Sequence, residues 1–312
     1  MNIKVGIIVP CFNENETIIH FLRQLCKALD GLEQDFEINV IDDASTDETI
    51  TLLQQFQLEE QSQKINLISL NYNLGHQGAI YQGLLFSEDK YDRIIVMDGD
   101  GEDDPSAIRD LMTKTDHDIV FVKRGRRSES PIFIIFYKIY KRIFRFVTGS
   151  SMSAGNFSMI SNKVLKALID SNFIHYSANL AKLKARKESI VSDRMPRLAG
   201  KSKMNFEALV LHGVRSLTVY AEELLLMFLK LFLIIMLVIS LIAAFVLYKK
   251  LFTDDAILGW ASSLLASLAN TALISIGFFV LGILTLNIHR KNEFKKTKIY
   301  TLKNLKNANF FN

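Results

Sequence analysis

Short apolar runs rich in Ile, Val and Leu recur through the first 120 residues, and each ends abruptly at polar or acidic side chains. Five of them, Ile3–Val9, Phe36–Ile41, Ile65–Leu70, Arg93–Met97 and Asp118–Val122, have the length and β-branched character of buried strands. Between them apolar positions recur at helical spacing over Glu14–Leu29, Thr46–Leu58, His76–Phe86 and Pro105–Thr113. Ser45-Thr46-Asp47-Glu48 reads as a capping box ahead of the second helix. This alternation predicts an α/β fold, a mostly parallel sheet with helices on both faces.

Ligands of such sheets bind at the carboxyl ends of the strands. Four polar stretches follow successive strands: Pro10-Cys11-Phe12-Asn13-Glu14, Asp42-Asp43-Ala44-Ser45, Asn73-Leu74-Gly75-His76-Gln77-Gly78, and Asp98 to Asp104. They are therefore expected to rim one crevice. In the last stretch the run Ile94-Ile95-Val96-Met97 stops at five acidic side chains, Asp98, Asp100, Glu102, Asp103 and Asp104. Crowded carboxylates repel one another unless a cation neutralises them. A hard ion with oxygen ligands, Mg²⁺ or Mn²⁺, suits Asp98 and Asp100, most usefully one that also carries substrate phosphates. The chain has no Gly-x-x-x-x-Gly-Lys-Ser/Thr loop and no Gly-x-Gly-x-x-Gly after its first strand, which excludes P-loop NTPases and dinucleotide dehydrogenases.

Charge divides the chain. Residues 1–120 hold 8 basic and 23 acidic residues, and the remainder holds 29 basic and 10 acidic, so the net charge of +4 conceals two opposed parts. A cation-dependent site in the first part and contact with phosphates or lipid in the second would account for this. Cys11 and Cys26 lack zinc-ligand spacing and indicate reduced thiols. The apolar start, ending at Pro10, is too short for a signal-peptide core.

The second part reads as membrane-associated. Lys123-Arg124-Gly125-Arg126-Arg127 is a basic loop in which Arg124 and Arg127 could grip phosphates through their guanidinium forks. Residues 130–147 interleave Phe, Tyr and Ile with Lys138, Lys141, Arg142 and Arg145, which suits a helix lying in the bilayer interface. No nucleic-acid motif accompanies the patch. Residues 204–222 form a juxtamembrane amphipathic helix, with Phe206, Leu209, Val210, Val214 and Leu217 on one face. Residues 223–288 contain two apolar stretches, at about 224–248 and 264–287, each long enough to span a bilayer. Gly277, Gly282, Ser267 and Ser275 would let helices pack closely, within a chain or between copies as a homo-oligomer. The tail, 289–312, is basic, which places it on the cytoplasmic side, and two spans return the chain to the side it left.

Val9-Pro10-x-Phe12-Asn13-Glu14, Ile41-Asp42-Asp43-Ala44-Ser45-x-Asp47-x-Thr49, Asn73-x-Gly75-His76-Gln77 and Met97-Asp98-x-Asp100-x-Glu102-x-x-Pro105 together resemble the motif series of family-2 glycosyltransferases with the GT-A (Rossmann-like) fold. The nearest pattern is that of the polyprenyl-phosphate sugar transferases, the group that includes dolichol-phosphate mannose synthase. The resemblance implies a catalytic domain over 1–203, in which Pro10, Asn13, Glu14, Gly75 and His76 line the donor pocket and Asp43, helped by Asp42, contacts the base. Asp98 and Asp100 match the Asp-x-Asp pair that holds Mg²⁺ or Mn²⁺ against the donor's diphosphate, and Glu102 stands where relatives have Gln. Asn156 occupies a position where many relatives carry Asp. Arg194, Arg197, Ser202 and Lys203 match an Arg-x-x-Arg-x-x-Gly-x-Ser-Lys segment that folds over the phosphates.

The implied function is inverting transfer of a hexose from a UDP- or GDP-sugar to a polyprenyl phosphate such as undecaprenyl phosphate. The protein would be integral to a membrane such as the bacterial inner membrane, with its catalytic domain and both termini cytoplasmic. Two rivals stay open: transfer to a hydroxyl of a lipid or lipid-linked saccharide, and a non-catalytic scaffold that binds nucleotide sugar.

Overall fold

The computed structural model describes residues 3–60, 62–125, 155–171, 173, 175–193, 195, 219–252 and 298–303, with isolated positions at 142 and between 263 and 284. The first five strands and four helices alternate as β1 (Lys4–Cys11), α1 (Ile18–Leu29), β2 (Asp35–Asp42), α2 (Thr49–Glu59), β3 (Lys64–Leu70), α3 (Gly75–Ser87), β4 (Arg93–Val96), α4 (Ala107–Met112) and β5 (Ile119–Arg124). There follow β6 (Ser158–Ser161), α5 (Asn162–Ser171), α6 (Tyr176–Lys182), β7 (Lys187–Ser192), α7 (Ala221–Phe252) and β8 (Tyr300–Leu302). The strands form one sheet in the order β7-β5-β6-β4-β1-β2-β3-β8. Its centre is parallel, with β1 between β4 and β2, and β2 beside β3. β6 runs antiparallel between β4 and β5, and β8 runs antiparallel along β3.

Side chains of a strand alternate between faces, and each face has its own core. Val5, Ile7, Val9, Ile38 and Val40 pack with α1, α2 and α4. Ile8, Ile41, Ile94 and Val96 pack on the opposite face with α3, α5 and α6. Burial of each such side chain contributes roughly 1.5–3 kcal/mol. α3 packs tightly against the sheet, since a Cβ on Gly83 would come 2.7 Å from Ile8 and 3.1 Å from Ile41. Gly83→Ala is therefore expected to push α3 off the sheet and destabilise the fold by about 1–3 kcal/mol, read as a lower melting temperature.

Two helices begin later than their patterns suggest. α1 starts at Ile18 because Asn13, with φ at 51°, turns the chain and Glu14–Thr17 forms a turn instead. α2 starts at Thr49, so the capping box expected at Ser45–Glu48 is not formed. Its Ser45 hydroxyl instead accepts the Asn13 N–H at 3.0 Å, and Asp47 accepts the Thr49 N–H at 3.0 Å.

The start of α7 is tied to the domain. Tyr220 is buried, and Lys182 bonds the Val219 carbonyl at 3.0 Å and pairs with Glu223. Among the described residues no helix is long and apolar enough to cross a membrane. The side chains of α7 are described only in part, and the second expected span is described only at scattered positions, which are helical. The expected interfacial region 130–147 lies outside the described residues except for Arg142, which is helical and exposed. The expected amphipathic helix lies outside them up to residue 218. The region expected as a basic tail contributes β8.

Candidate functional site

The carboxyl ends of β1, β2, β3 and β4 lie side by side, and the four polar stretches meet there as the sequence predicts. The loops after β1 and β2 are stitched to each other. The Asn13 carboxamide accepts the Thr46 N–H at 2.8 Å, and the Glu14 N–H donates to the Thr49 hydroxyl at 3.0 Å. These bonds hold two non-glycine residues, Asn13 and Ala44, at φ of 51° and 58°, a left-handed conformation that persists only where the surroundings enforce it. The Glu14 carboxylate accepts the Thr17 hydroxyl at 2.9 Å.

Neighbouring acidic residues divide the work after β2. Asp42 is buried and turned to its own loop, accepting the Ser45 N–H at 3.2 Å and the Ser69 hydroxyl at 3.1 Å. Asp43 reaches across to the β3–α3 turn, where it accepts the Leu74 N–H at 2.7 Å. Burial pushes the Asp43 carboxyl up to about 6, against the pull of the Leu74 and Gly75 amides, with Asp42 adding repulsion. Asn73 accepts the Gly75 N–H at 3.0 Å, and Gly75 supplies the φ of 75° that begins α3.

The acidic turn after β4 is built from within. Asp103 is buried and accepts the Asp98 N–H at 3.0 Å, and Asp100 accepts the Glu102 N–H at 3.1 Å, with Gly101 at φ 77° closing the turn. A Cβ on Gly99 would come 3.1 Å from the Pro10 carbonyl, so this turn sits directly against the end of β1. The Glu102 carbonyl accepts the Met195 N–H at 3.1 Å, which ties Met195, within the segment that carries Arg194 and Arg197, to the acidic turn.

The carboxylate of Asp98 faces two groups from distant parts of the chain. His76 Nε2 is 3.2 Å from Asp98 Oδ1, and Asn156 Nδ2 is 2.8 Å from His76 Nε2 and 3.5 Å from Asp98 Oδ1. Burial disfavours a charged His76, but Asp98, then Asp100 and Asp43, outweigh it and raise its pKa above the ordinary 6.5. The Cys11 thiol behind this rim is raised well above its ordinary value by burial and then by Asp42, Glu14 and Asp43. Both cysteines are buried and free.

Pro10, Asn13, Glu14, Asp43, Gly75, His76, Asp98, Asp100 and Asn156 are thus brought to one rim, whereas Asp42 serves the loop that presents Asp43. Among the described residues no group of three or more His, Cys, Asp or Glu side chains is gathered to hold a metal ion. The oxygen donors of Asp98 and Asp100 still suit a hard divalent ion that keeps only one or two carboxylates and takes phosphates as its other ligands. Arg127, Arg194, Arg197, Ser202 and Lys203 lie outside the described residues, as does the side chain of Arg124. Two contributions escaped the sequence reading. Asp103 was one acid among five, and Gln77, which accepts the Tyr176 N–H at 2.6 Å, has a partner ninety-nine positions away that no local pattern marks.

Residues 6–169 match the glycosyl transferase family 2 profile. The chain is 25% identical over 292 residues to the uncharacterized glycosyltransferase YkcC of Bacillus subtilis, covering 90% of this chain and 88% of that one. It is 26% identical over 293 residues to the uncharacterized glycosyltransferase sll0501 of Synechocystis, covering 89% of each. Among solved structures, the mannosyltransferase PcManGT of Pyrobaculum calidifontis, in complex with GDP-Man and Mn²⁺, shares the fold with a TM-score of 0.50 and 17% identity. That match covers 72% of this chain and 64% of the Pyrobaculum protein, so the chain spans just under two thirds of its length. With the profile spanning more than half of its residues, and with its strand-end motifs assembled on a mostly parallel sheet, the chain belongs to glycosyl transferase family 2.

Proposed function

We propose that the protein transfers a hexose from a UDP- or GDP-sugar to a polyprenyl phosphate at the cytoplasmic face of a membrane, with inversion at the anomeric carbon. The observation that carries this reading is the rim where the Asp43 loop, the His76 turn and the Asp98–Asp100 turn meet. Asp43 and the Asn13 loop would receive the nucleoside, and Asp98 and Asp100 would hold Mg²⁺ or Mn²⁺, with Glu102 within the same turn. When bound, that ion supplies positive charge against the departing nucleoside diphosphate. Arg124, Arg127, Arg194, Arg197, Ser202 and Lys203 would offset the remaining phosphate charge.

Asn156 bears on the acceptor. An amide is no general base, and a hydroxyl acceptor needs one, whereas a lipid monophosphate is already ionised at neutral pH and attacks unaided. Membrane attachment is proposed from the exposed apolar side chains of α7 and not from its length. Its sequence is uncharged from Leu231 to Tyr248, and Leu233, Leu237, Leu241 and Phe245 are about 60% exposed. Exposed apolar side chains on that scale suit lipid rather than water. The second apolar stretch would complete a helical pair.

Membranes carrying the protein should convert one labelled nucleotide sugar, in the presence of undecaprenyl or dolichyl phosphate and Mg²⁺ or Mn²⁺, into an acid-labile lipid-linked monosaccharide. An acid-stable glycolipid would instead establish a hydroxyl acceptor, and nucleotide-sugar binding without turnover would establish a scaffold.

If Asp43 must be ionised to hold the donor, its raised pKa sets a pH limit. Donor affinity is expected to hold above pH 7 and to weaken as pH falls through about 6, by up to about tenfold per pH unit below that point. Calorimetric titration between pH 5 and pH 8 would show it.

A further inference from the structure

β8 is separated in sequence from the rest of the sheet by α7 and the second apolar stretch, yet it borders the loop that carries Asp43's partner. Leu70, Ser69 and Ile68 of β3 pair with Tyr300, Thr301 and Leu302, and the Lys303 N–H donates to the Leu67 carbonyl at 2.9 Å. Contacts then continue past the strand. The Asn71 N–H donates to the Ile299 carbonyl at 3.3 Å, and the Thr301 hydroxyl donates to the Asn71 side chain at 3.3 Å. The Ile299 N–H donates to Gln82 on the buried side of α3 at 3.1 Å, and the Tyr300 ring meets Phe86 edge-on at 5.9 Å.

One five-residue segment therefore grips the strand before the β3–α3 turn, the first residue of that turn, and the helix after it. Asn71, Tyr72 and Asn73 of the turn are exposed, and its far end is held by Leu74 against the core and by the Asn73–Gly75 bond. The turn has to present the Leu74 N–H to Asp43 and His76 to Asp98. A solvent-exposed connection of this kind opens locally at little cost unless both of its ends are fixed.

We infer that residues 299–303 are positioning residues for the donor site, clamping the β3–α3 turn so that Asp43 and His76 keep their places. The functional half of this inference rests on the donor-site reading above; the structural half does not. The experiment uses the full chain with Thr301→Pro, which deletes a ladder donor, and with Tyr300→Ala, which keeps the ladder and removes the ring that meets Phe86 and packs on the core. Hydrogen exchange in the ligand-free protein is expected to be about tenfold faster at Leu74 and Gly75 in both variants, with Ile7 and Ile38 of the central strands unchanged. The KM for the nucleotide sugar is expected to rise severalfold, with kcat within about twofold of the parent. If Thr301→Pro does not fold, Tyr300→Ala alone decides. Unchanged exchange at Leu74 and Gly75 would overturn the inference, and so would faster exchange with an unaltered KM. A parent protein that binds no nucleotide sugar would sink the donor-site reading separately, while the exchange data still decide whether the segment holds the turn.

Discussion

Asp98→Asn is expected to lower kcat/KM for sugar transfer by about a thousandfold while leaving the fold intact. The substitution keeps the side chain's size and its ability to accept from His76 and Asn156, 3.2 and 3.5 Å away. The backbone bond from Asp98 to Asp103 is untouched, so the turn keeps its shape. What would disappear is the negative charge by which a divalent ion is proposed to be held here, and with it the proposed neutralisation of the leaving diphosphate. Steady-state rates across a Mg²⁺ and Mn²⁺ titration, with circular dichroism as the control for folding, would measure this. Transfer within tenfold of the parent would show that Asp98 does not hold the ion.

Glu37→Gln has the largest effect expected on stability, about 2–3 kcal/mol. Glu37 lies at the opposite end of β2 from the rim, with its side chain 6% exposed between Lys64 at 2.5 Å, Lys4 at 3.0 Å and the Tyr91 hydroxyl at 2.7 Å. Burial works against its charge, but the bonds from Lys64, Tyr91 and Lys4 prevail and lower its pKa from 4.5 to about 2. A carboxylate more acidic in the folded state stabilises fully above the unfolded pKa of 4.5. The contribution is lost as pH falls from there through about 2. Asp43 works in the opposite sense, since its carboxyl, raised from 3.8 to about 6, favours the folded state as pH falls through 6. Urea melts of parent and Glu37→Gln should therefore differ most near neutral pH and converge toward pH 2. A constant difference across that range would assign the loss to packing rather than to the charge.

Much of the fold was legible because β1 to β5 are short β-branched runs whose ends coincide with polar residues. β6 was not, since Ser158–Ser161 is a four-residue strand running directly into α5. Its place between β4 and β5 is decided by pairing with residues distant in sequence on both sides, as Ile94 with Ile160 and Val120 with Met159. The capping box failed for a related reason: Ser45 has the right chemistry for its own helix, but the Asn13 N–H from the neighbouring loop claims its hydroxyl.

At the site, the strand-end motifs announced which residues would gather but not how they would be divided. Nothing in Asp42-Asp43 says that the first turns back to Ser45 and Ser69 while the second reaches Leu74. Likewise His76 and Asn156 meet across eighty positions, and their joint hold on Asp98 becomes visible only once α3 and the segment before β6 are placed around the sheet.

The pairing of β8 with β3 carries a topological consequence. β1 to β7 precede α7, β8 follows the second apolar stretch, and all eight strands belong to one sheet. A chain that leaves a folded body and later rejoins it must pass through any bilayer an even number of times on the way. This parity follows from connectivity alone, with no appeal to the lysines near the helix ends. A single-pass anchor is therefore incompatible with this sheet, because any crossing made along α7 would have to be matched by a return before Lys298.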